Sequence, residues 1–353
     1  MSKFLKKRYN SLDTYVPGEQ PQDKKYIKLN TNESPYPPSK GVLEALNAEE
    51  VSNLRLYSDP ECRVLKGKIA KLYGVDSENI YLSNGSDDIL NFAFMCFSEN
   101  GAVFPEISYG FYKVFAELHG INYEAIPLKE DFSIDENDYL DKNKLIVIAN
   151  PNAPTGLLLS TEKIEKILKS NKNNVVVIDE AYIDFGGVSC YPLIKSYDNL
   201  LVVGTFSKSR SMAGARLGFA IADKEIIADL ERIKYSTNPY NINRLTLKAG
   251  EAAIDDNDYY MENCKKIIEA RNYTENALRA LGFEVIPSCA NFVFSKSPKI
   301  SGQKLYEKLK ENGILVRHFE SEKIKDFNRI TIGTMEEMQA LIKTVTLILE
   351  GKL

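Results

Sequence analysis

Residues 175–208 read VVVIDEAYIDFGGVSCYPLIKSYDNLLVVGTFSK. Two short apolar runs stand out, Val175–Ile178 and Leu200–Gly204. Each is followed at once by groups that carry chemistry: Asp179 after the first, Ser207 and Lys208 after the second. Short β-branched runs without alternation are expected of strands covered on both faces by helices. Working outward, the same pattern recurs at Ile80–Leu82, Ala102–Phe104, Tyr123–Ile126, Leu145–Ala149 and Leu217–Ala222. The stretches between them have helical period. In Thr161–Ser170 (TEKIEKILKS), Ile164, Ile167 and Leu168 share one face, with Thr161 expected as N-cap. Strand–helix alternation of this length predicts an α/β fold with a mostly parallel, doubly wound sheet.

The flanks differ. Residues 1–40 are rich in Pro and polar groups (TYVPGEQP, LNTNESPYPPS) and read as an extended arm. Beyond residue 255 a long polar helix is expected from Tyr259 to Arg279, then shorter elements: FEVIPS, ANFVFS, a helix at Gln303–Asn312, ILVRHF, the strand RITIG and a last helix. The expected organisation is an arm (1–40), a large domain (41–255) and a smaller α+β domain (256–353).

Composition narrows the functions. With 353 residues, 44% hydrophobic and 27% charged, the chain is an ordinary globular one of about two domains, not disordered, collagenous or coiled-coil. The net charge of −4 argues against a nucleic-acid backbone as main partner. Five scattered cysteines with no CxxC pair suit reduced thiols in a cytoplasmic protein, and two distant histidines cannot build a His-rich metal site, so no metal is expected. The basic start MSKFLKKRYN lacks a following apolar run, so it is not read as a signal peptide, and no run is long enough to span a membrane.

Ligands of open α/β sheets sit beyond the carboxyl ends of the strands. There the first run leads into SNGSDDIL, where Gly85 and Ser86 open a helix whose free N–H groups could hold an anion. Asp179, at the end of a buried strand, needs a positive partner to stay ionised. Lys208 lies among Thr205, Ser207 and Ser209, with Arg216 eight residues on. Taken singly, each has a structural reading: a capped turn, an ion pair, a surface amine. Together they meet the demands of pyridoxal phosphate, which needs a lysine amine, an acid at the ring nitrogen and a phosphate cup.

The segments TFSKSRSMAGARLGF, VVVIDEAYIDF and NPNAPTG (Asn150–Gly156) resemble class I/II aminotransferases of fold type I. TYVPGEQP, KLNTNESPYPPS, LYSDPECRVLKGKIA, NGSDD, SYGFY and NRITIGTMEEM resemble, in order, the histidinol-phosphate branch of that family. The resemblance spans essentially the whole chain. It implies a seven-stranded large domain beside a small one, and pyridoxal 5'-phosphate as cofactor. It further implies a cytoplasmic homodimer with shared active sites, using histidinol phosphate and 2-oxoglutarate/glutamate as substrates.

Residue by residue, the resemblance implies that Lys208 bonds the cofactor and shuttles the proton. Asp179 pairs with the ring nitrogen, Tyr182 donates to the ring oxygen and Tyr109 stacks on the ring. Ser86, Asp87, Thr205, Ser207 and Arg216 form the phosphate cup, joined by Tyr57 from the neighbouring subunit. Arg329 clamps the substrate carboxylate, and Tyr15 and Asn32 lie on the substrate side, with Arg317 either a second anchor or a strand-edge arginine. One position departs: where the family has Asn before PTG, this chain has Ala153, with Asn152 one residue earlier. The ring oxygen is then expected to be served by Asn152 through a shifted loop, or by Tyr182 alone. An aromatic aminotransferase or a threonine-phosphate decarboxylase would share the lysine, acid and cup. A non-catalytic sensor of this fold would need an added DNA-binding segment, of which the sequence has no sign.

Overall fold

The computed structural model describes residues 2–10 and 12–353. Its large sheet contains β1 (Ile80–Ser83), β2 (Ala102–Pro105), β3 (Tyr123–Ile126), β4 (Leu145–Ala149), β5 (Val176–Asp179), β6 (Leu200–Thr205) and β7 (Gly218–Ala222). They lie in the order β1-β7-β6-β5-β4-β2-β3. Only β7 runs against the rest, antiparallel to both β6 and β1. The reason is local: the β6–β7 connection holds no crossover helix, only the short turn Ala213–Ala215, and parallel neighbours need a crossover.

Successive residues of the central strands enter different cores. Leu145, Val147, Val177, Leu201 and Val203 pack in one cluster; Ile146, Ile148, Val176, Ile178 and Val202 pack in another. Side chains alternate across a strand, so both faces of this sheet are covered. Each such fully buried aliphatic side chain stabilises the fold by about 1.5–3 kcal/mol.

A second, antiparallel sheet holds β8 (Glu284–Ile286), β9 (Phe292–Lys296), β10 (Arg317–His318) and β11 (Phe327–Thr331), ordered β10-β11-β9-β8. Helices Asn257–Ala280, Gly302–Glu311 and Met335–Leu349 contribute to its own apolar core. Near the start of the chain, Ile27–Lys28 pairs in parallel with Ile314–Leu315, tying the arm to this part of the molecule.

Two expectations shift. The helix expected at Thr161 does begin there, but Ser160 is its N-cap and no side chain caps it. Strand β5 ends on Asp179 itself rather than on Ile178. Asp179 is therefore registered against Ala149 on one side and Val203 on the other, which fixes its Cα inside the sheet.

Candidate active site

The carboxyl ends of β4, β5 and β6 meet at a cavity of about 380 Å³, with Ala149, Asp179 and Thr205 in its wall. Lys208, three residues beyond β6, lines it too, as do Tyr109, Tyr182, Ser86, Asp87, Ser207 and Arg216. The acid and the amine singled out in the sequence thus face one space.

Their surroundings set their protonation. Asp179 is 5% exposed. Burial pushes its carboxyl up to about 6, while a hydrogen bond from the Tyr112 phenol (2.9 Å) and one from the Ala181 N–H (3.2 Å) restrain the rise. For Lys208, loss of water lowers the pKa to about 8, and the charge of Arg329 works in the same direction. The ammonium donates to the Thr31 carbonyl at 3.2 Å and lies 5.7 Å from the centre of the Tyr182 ring. Neither group is a plain surface charge; such perturbation is common at functional sites.

Beside them is an anion cradle. Helix α1 (Ser86–Phe97) starts after Gly85, whose φ is +82° and which offers no capping side chain. The first-turn N–H groups thus have no side-chain cap, and the dipole favours a negative ligand. A Cβ on residue 85 would meet the Arg216 guanidinium at 2.5 Å, and one on Gly218 would strike the backbone of Gly85 and Ser86. The cradle therefore requires both glycines. Arg216 donates to Asp87 at 2.9 Å, and Asp87 in turn accepts from the Tyr109 phenol at 2.8 Å. An acid for a ring nitrogen, an amine, an aromatic wall and a phosphate cup border one space, so the residues present fit pyridoxal phosphate.

A neighbouring cavity of about 540 Å³ shares Tyr109, Tyr182 and Lys208 and adds Tyr15, Asn32, Arg317 and Arg329. Tyr15 stacks on Phe111 with ring centroids 4.3 Å apart. Arg329 donates to the Asn30 carbonyl at 2.9 Å, and its buried Nε has no partner. Arg317 is occupied by the arm, donating to the carbonyls of Val16 (3.1 Å) and Pro17 (3.3 Å).

Asn152 corrects the sequence reading. It lines neither cavity; Ala153 lines both. The Asn152 amide is used elsewhere, donating to Thr155 of its own loop (3.1 Å) and to the Ile107 carbonyl of the segment after β2 (3.0 Å), and accepting from Ser108 (2.9 Å). Asn32 has its amide nitrogen on the Tyr182 oxygen at 3.0 Å rather than free for a ligand. Tyr57 lies outside both of these cavities, 79% exposed, stacked on Tyr240 at 4.4 Å. Sequence reasoning missed Tyr112. A signal was there: a tyrosine on the apolar face of FYKVFAELH, one turn after Tyr109, needs a buried partner for its hydroxyl.

Sheet order, acid, amine and cradle together define the fold type I class of pyridoxal-phosphate enzymes. More narrowly, the chain belongs to the family of class I and II aminotransferases, whose model matches residues 24–345. A histidinol-phosphate aminotransferase of Brachyspira hyodysenteriae is 51% identical, covering 99% of this chain and 100% of that protein. The crystal structure of the histidinol-phosphate aminotransferase from Clostridium acetobutylicum superposes with a TM-score of 0.84 at 28% identity, covering 92% of this chain and 99% of the other. The Sinorhizobium meliloti histidinol-phosphate aminotransferase, solved in complex with pyridoxal-5'-phosphate, shares the fold over 100% of both chains, with a TM-score of 0.87 at 23% identity. Among the described residues no cluster of His, Cys, Asp and Glu could hold a metal ion, and no helix is long and apolar enough to cross a membrane.

Proposed function

We propose that this aminotransferase moves the amino group of L-histidinol phosphate to 2-oxoglutarate, giving imidazole acetol phosphate and glutamate, with pyridoxal 5'-phosphate as cofactor. The observation that carries the substrate is the 51% identity, over the full length, to a histidinol-phosphate aminotransferase.

Pyridoxal phosphate supplies, when bound, an aldehyde that condenses with amines and a pyridinium ring that accepts electrons. The remaining work falls to the chain. Asp179, ionised and oriented by Tyr112, would hold a proton on the ring nitrogen and set a fixed charge where the ring accepts electrons. Lys208, whose proton is held less tightly than an ordinary lysine's, acts as the base that takes and returns the α-proton. Tyr182 would donate at the ring oxygen. The Ser86 and Asp87 backbone, Thr205, Ser207 and Arg216 would hold the phosphate, and Tyr109 would cover the ring. Arg329 presents its fork to the terminal anion of either substrate, carboxylate or phosphate. One anchor for both explains how a single cavity serves two half-reactions in turn.

The proposal includes a cytoplasmic homodimer in which Tyr57 of one copy reaches the phosphate cup of the other. Support comes from the exposure of Val51, Leu54, Leu56 and Tyr57 as neighbours in sequence, an apolar stretch suited to a partner. Five free thiols fit a reducing compartment. It also includes the division into an arm, a large domain to residue 255 and a small domain from 256. In its favour, the helices Arg244–Asp255 and Asn257–Ala280 break at Asp256.

The test is to supply L-histidinol phosphate and 2-oxoglutarate to the cofactor-loaded protein and measure glutamate. Stoichiometric glutamate is expected. Carbon dioxide release from threonine phosphate, with no glutamate formed, would replace the proposal with a decarboxylase.

A further inference from the structure

Tyr182 is the ring-oxygen donor that remains once Asn152 is turned away and Ala153 presents only a methyl group. Its hydroxyl is not left to itself. The Asn32 amide nitrogen donates to it at 3.0 Å. Asn32 is 1% exposed and has φ +56°, a left-handed conformation that Asn tolerates better than most residues. Three contacts from the smaller sheet and its β8–β9 turn hold it there. The Asn32 N–H donates to the Thr331 hydroxyl oxygen at 2.9 Å, and the Thr331 hydroxyl lies 3.0 Å from the Asn32 amide oxygen. The Asn291 amide donates to the Asn32 carbonyl at 3.0 Å.

The contacts between Thr331 and Asn32 orient the Asn32 amide. A threonine hydroxyl has one proton. Its oxygen accepts the Asn32 N–H, and the proton is donated to the Asn32 amide oxygen. The amide is thereby fixed with its NH2 end toward Tyr182. The phenol oxygen receives a hydrogen bond and keeps its own proton for a neighbour in the cavity. Hydrogen bonds in series polarise one another, so a phenol that accepts is a stronger donor.

We propose that Thr331 and Asn32 are positioning residues for the reaction: Thr331, at the end of β11, sets the orientation of the Asn32 amide, and that amide strengthens Tyr182 as donor to the cofactor's ring oxygen. The inference deepens the reading given above and rests on it for the cofactor, though not for the identity of the amine substrate. Thr331 touches neither cavity, and Asn32 acts here through Tyr182 rather than as a substrate ligand. The charged and titratable groups that also face Tyr182 are Arg329, Asp179, Asp87, Lys208, Tyr15, Tyr109 and Tyr112, and none of them is altered by the variants below.

The experiment is a pH titration of the absorbance band of the lysine-bound cofactor, in the loaded enzyme, with thermal unfolding measured alongside. A stronger donor at the ring oxygen stabilises the deprotonated linkage. Thr331→Val keeps the shape and removes the hydroxyl, and should raise the titration midpoint by about half a pH unit or more. Thr331→Ser restores the hydroxyl and should titrate as the parent. Asn32→Gly suits the positive φ, removes the amide donor without adding charge and should shift the midpoint upward at least as far. If Thr331→Val fails to fold, the Asn32→Gly titration decides. A parental midpoint in Thr331→Val, or in Asn32→Gly, overturns the proposal; so does an equal shift in Thr331→Ser. A parent that takes up no cofactor would instead refute the functional reading itself.

Discussion

Asp179 and Tyr15 face connected parts of the same space, yet they are held by different kinds of contact. Asp179 ends a strand with neighbours on both sides, receives a buried phenol and is 5% exposed. Tyr15 is 39% exposed and rides on an arm segment that forms no helix or strand. That segment is fastened by an Asp13–Lys113 ion pair at 3.3 Å, by the Arg317 hydrogen bonds to Val16 and Pro17, and by Glu19 on Tyr306 and Lys310. Exposed ion pairs contribute about 0–1 kcal/mol each, so the arm can loosen at little cost while the strand end cannot. The side around Asp179 is preorganised; the side around Tyr15 is closed by a strap of weak contacts.

The sharpest way to break this contrast is at Asp179. Asp179→Asn keeps the shape and removes the charge. Turnover should fall on the order of 10²–10³-fold, as when a preorganised electrostatic group is lost. A loss of less than tenfold, measured at saturating cofactor, would mean the buried carboxylate is not the group that stabilises the ring. Next in size is Arg329→Lys, which keeps the charge and loses the fork. The KM for 2-oxoglutarate should rise about ten- to hundredfold, with cofactor affinity little changed. Equal damage to cofactor affinity would erase the division between the two sides.

The pH dependence of cofactor capture sharpens the same division. In the cofactor-free chain, Asp179 is raised to about 6 by burial, so its charged form dominates only above that pH. Lys208 is lowered to about 8, so its reactive neutral form grows as pH approaches and passes 8. The rate of cofactor uptake should therefore climb between about pH 6 and 8 and level off above. A climb centred near 10.5 would show Lys208 to be an ordinary lysine. The smallest effect is expected on the arm. Lys113→Ala removes the Asp13 pair and should change the substrate KM by no more than about fivefold, an effect that added salt imitates in the parent enzyme.

The same contrast decided what could be read from the sequence. Seven runs matched the large sheet to within a residue or two; six of them are strands buried on both faces, which leave a signal of composition alone, while the edge strand Tyr123–Ile126 is mostly exposed. Asp179 and Lys208 were legible because each directly follows such a run. Between Asn152 and Tyr182 the sequence left the choice open, because it shows which amide is nearby but not which way a loop turns it. Tyr112 escaped because its role depends on a helix of one segment lying over the end of a distant strand. The Thr331–Asn32–Tyr182 relay joins residues up to 299 positions apart, and no local spacing encodes it. β7 runs against its neighbours for want of a crossover helix, a point that strand composition leaves open.

The central claim is that Lys208 is the amine that bonds the cofactor opposite Asp179. Borohydride reduction of the cofactor-loaded protein converts the carbon–nitrogen double bond into a stable secondary amine, and peptide mass spectrometry then locates the added mass. The label is expected on the peptide containing Lys208 and to be absent from Lys208→Ala. A label on any other lysine, or a Lys208→Ala protein that is still labelled at the parental level, would contradict it.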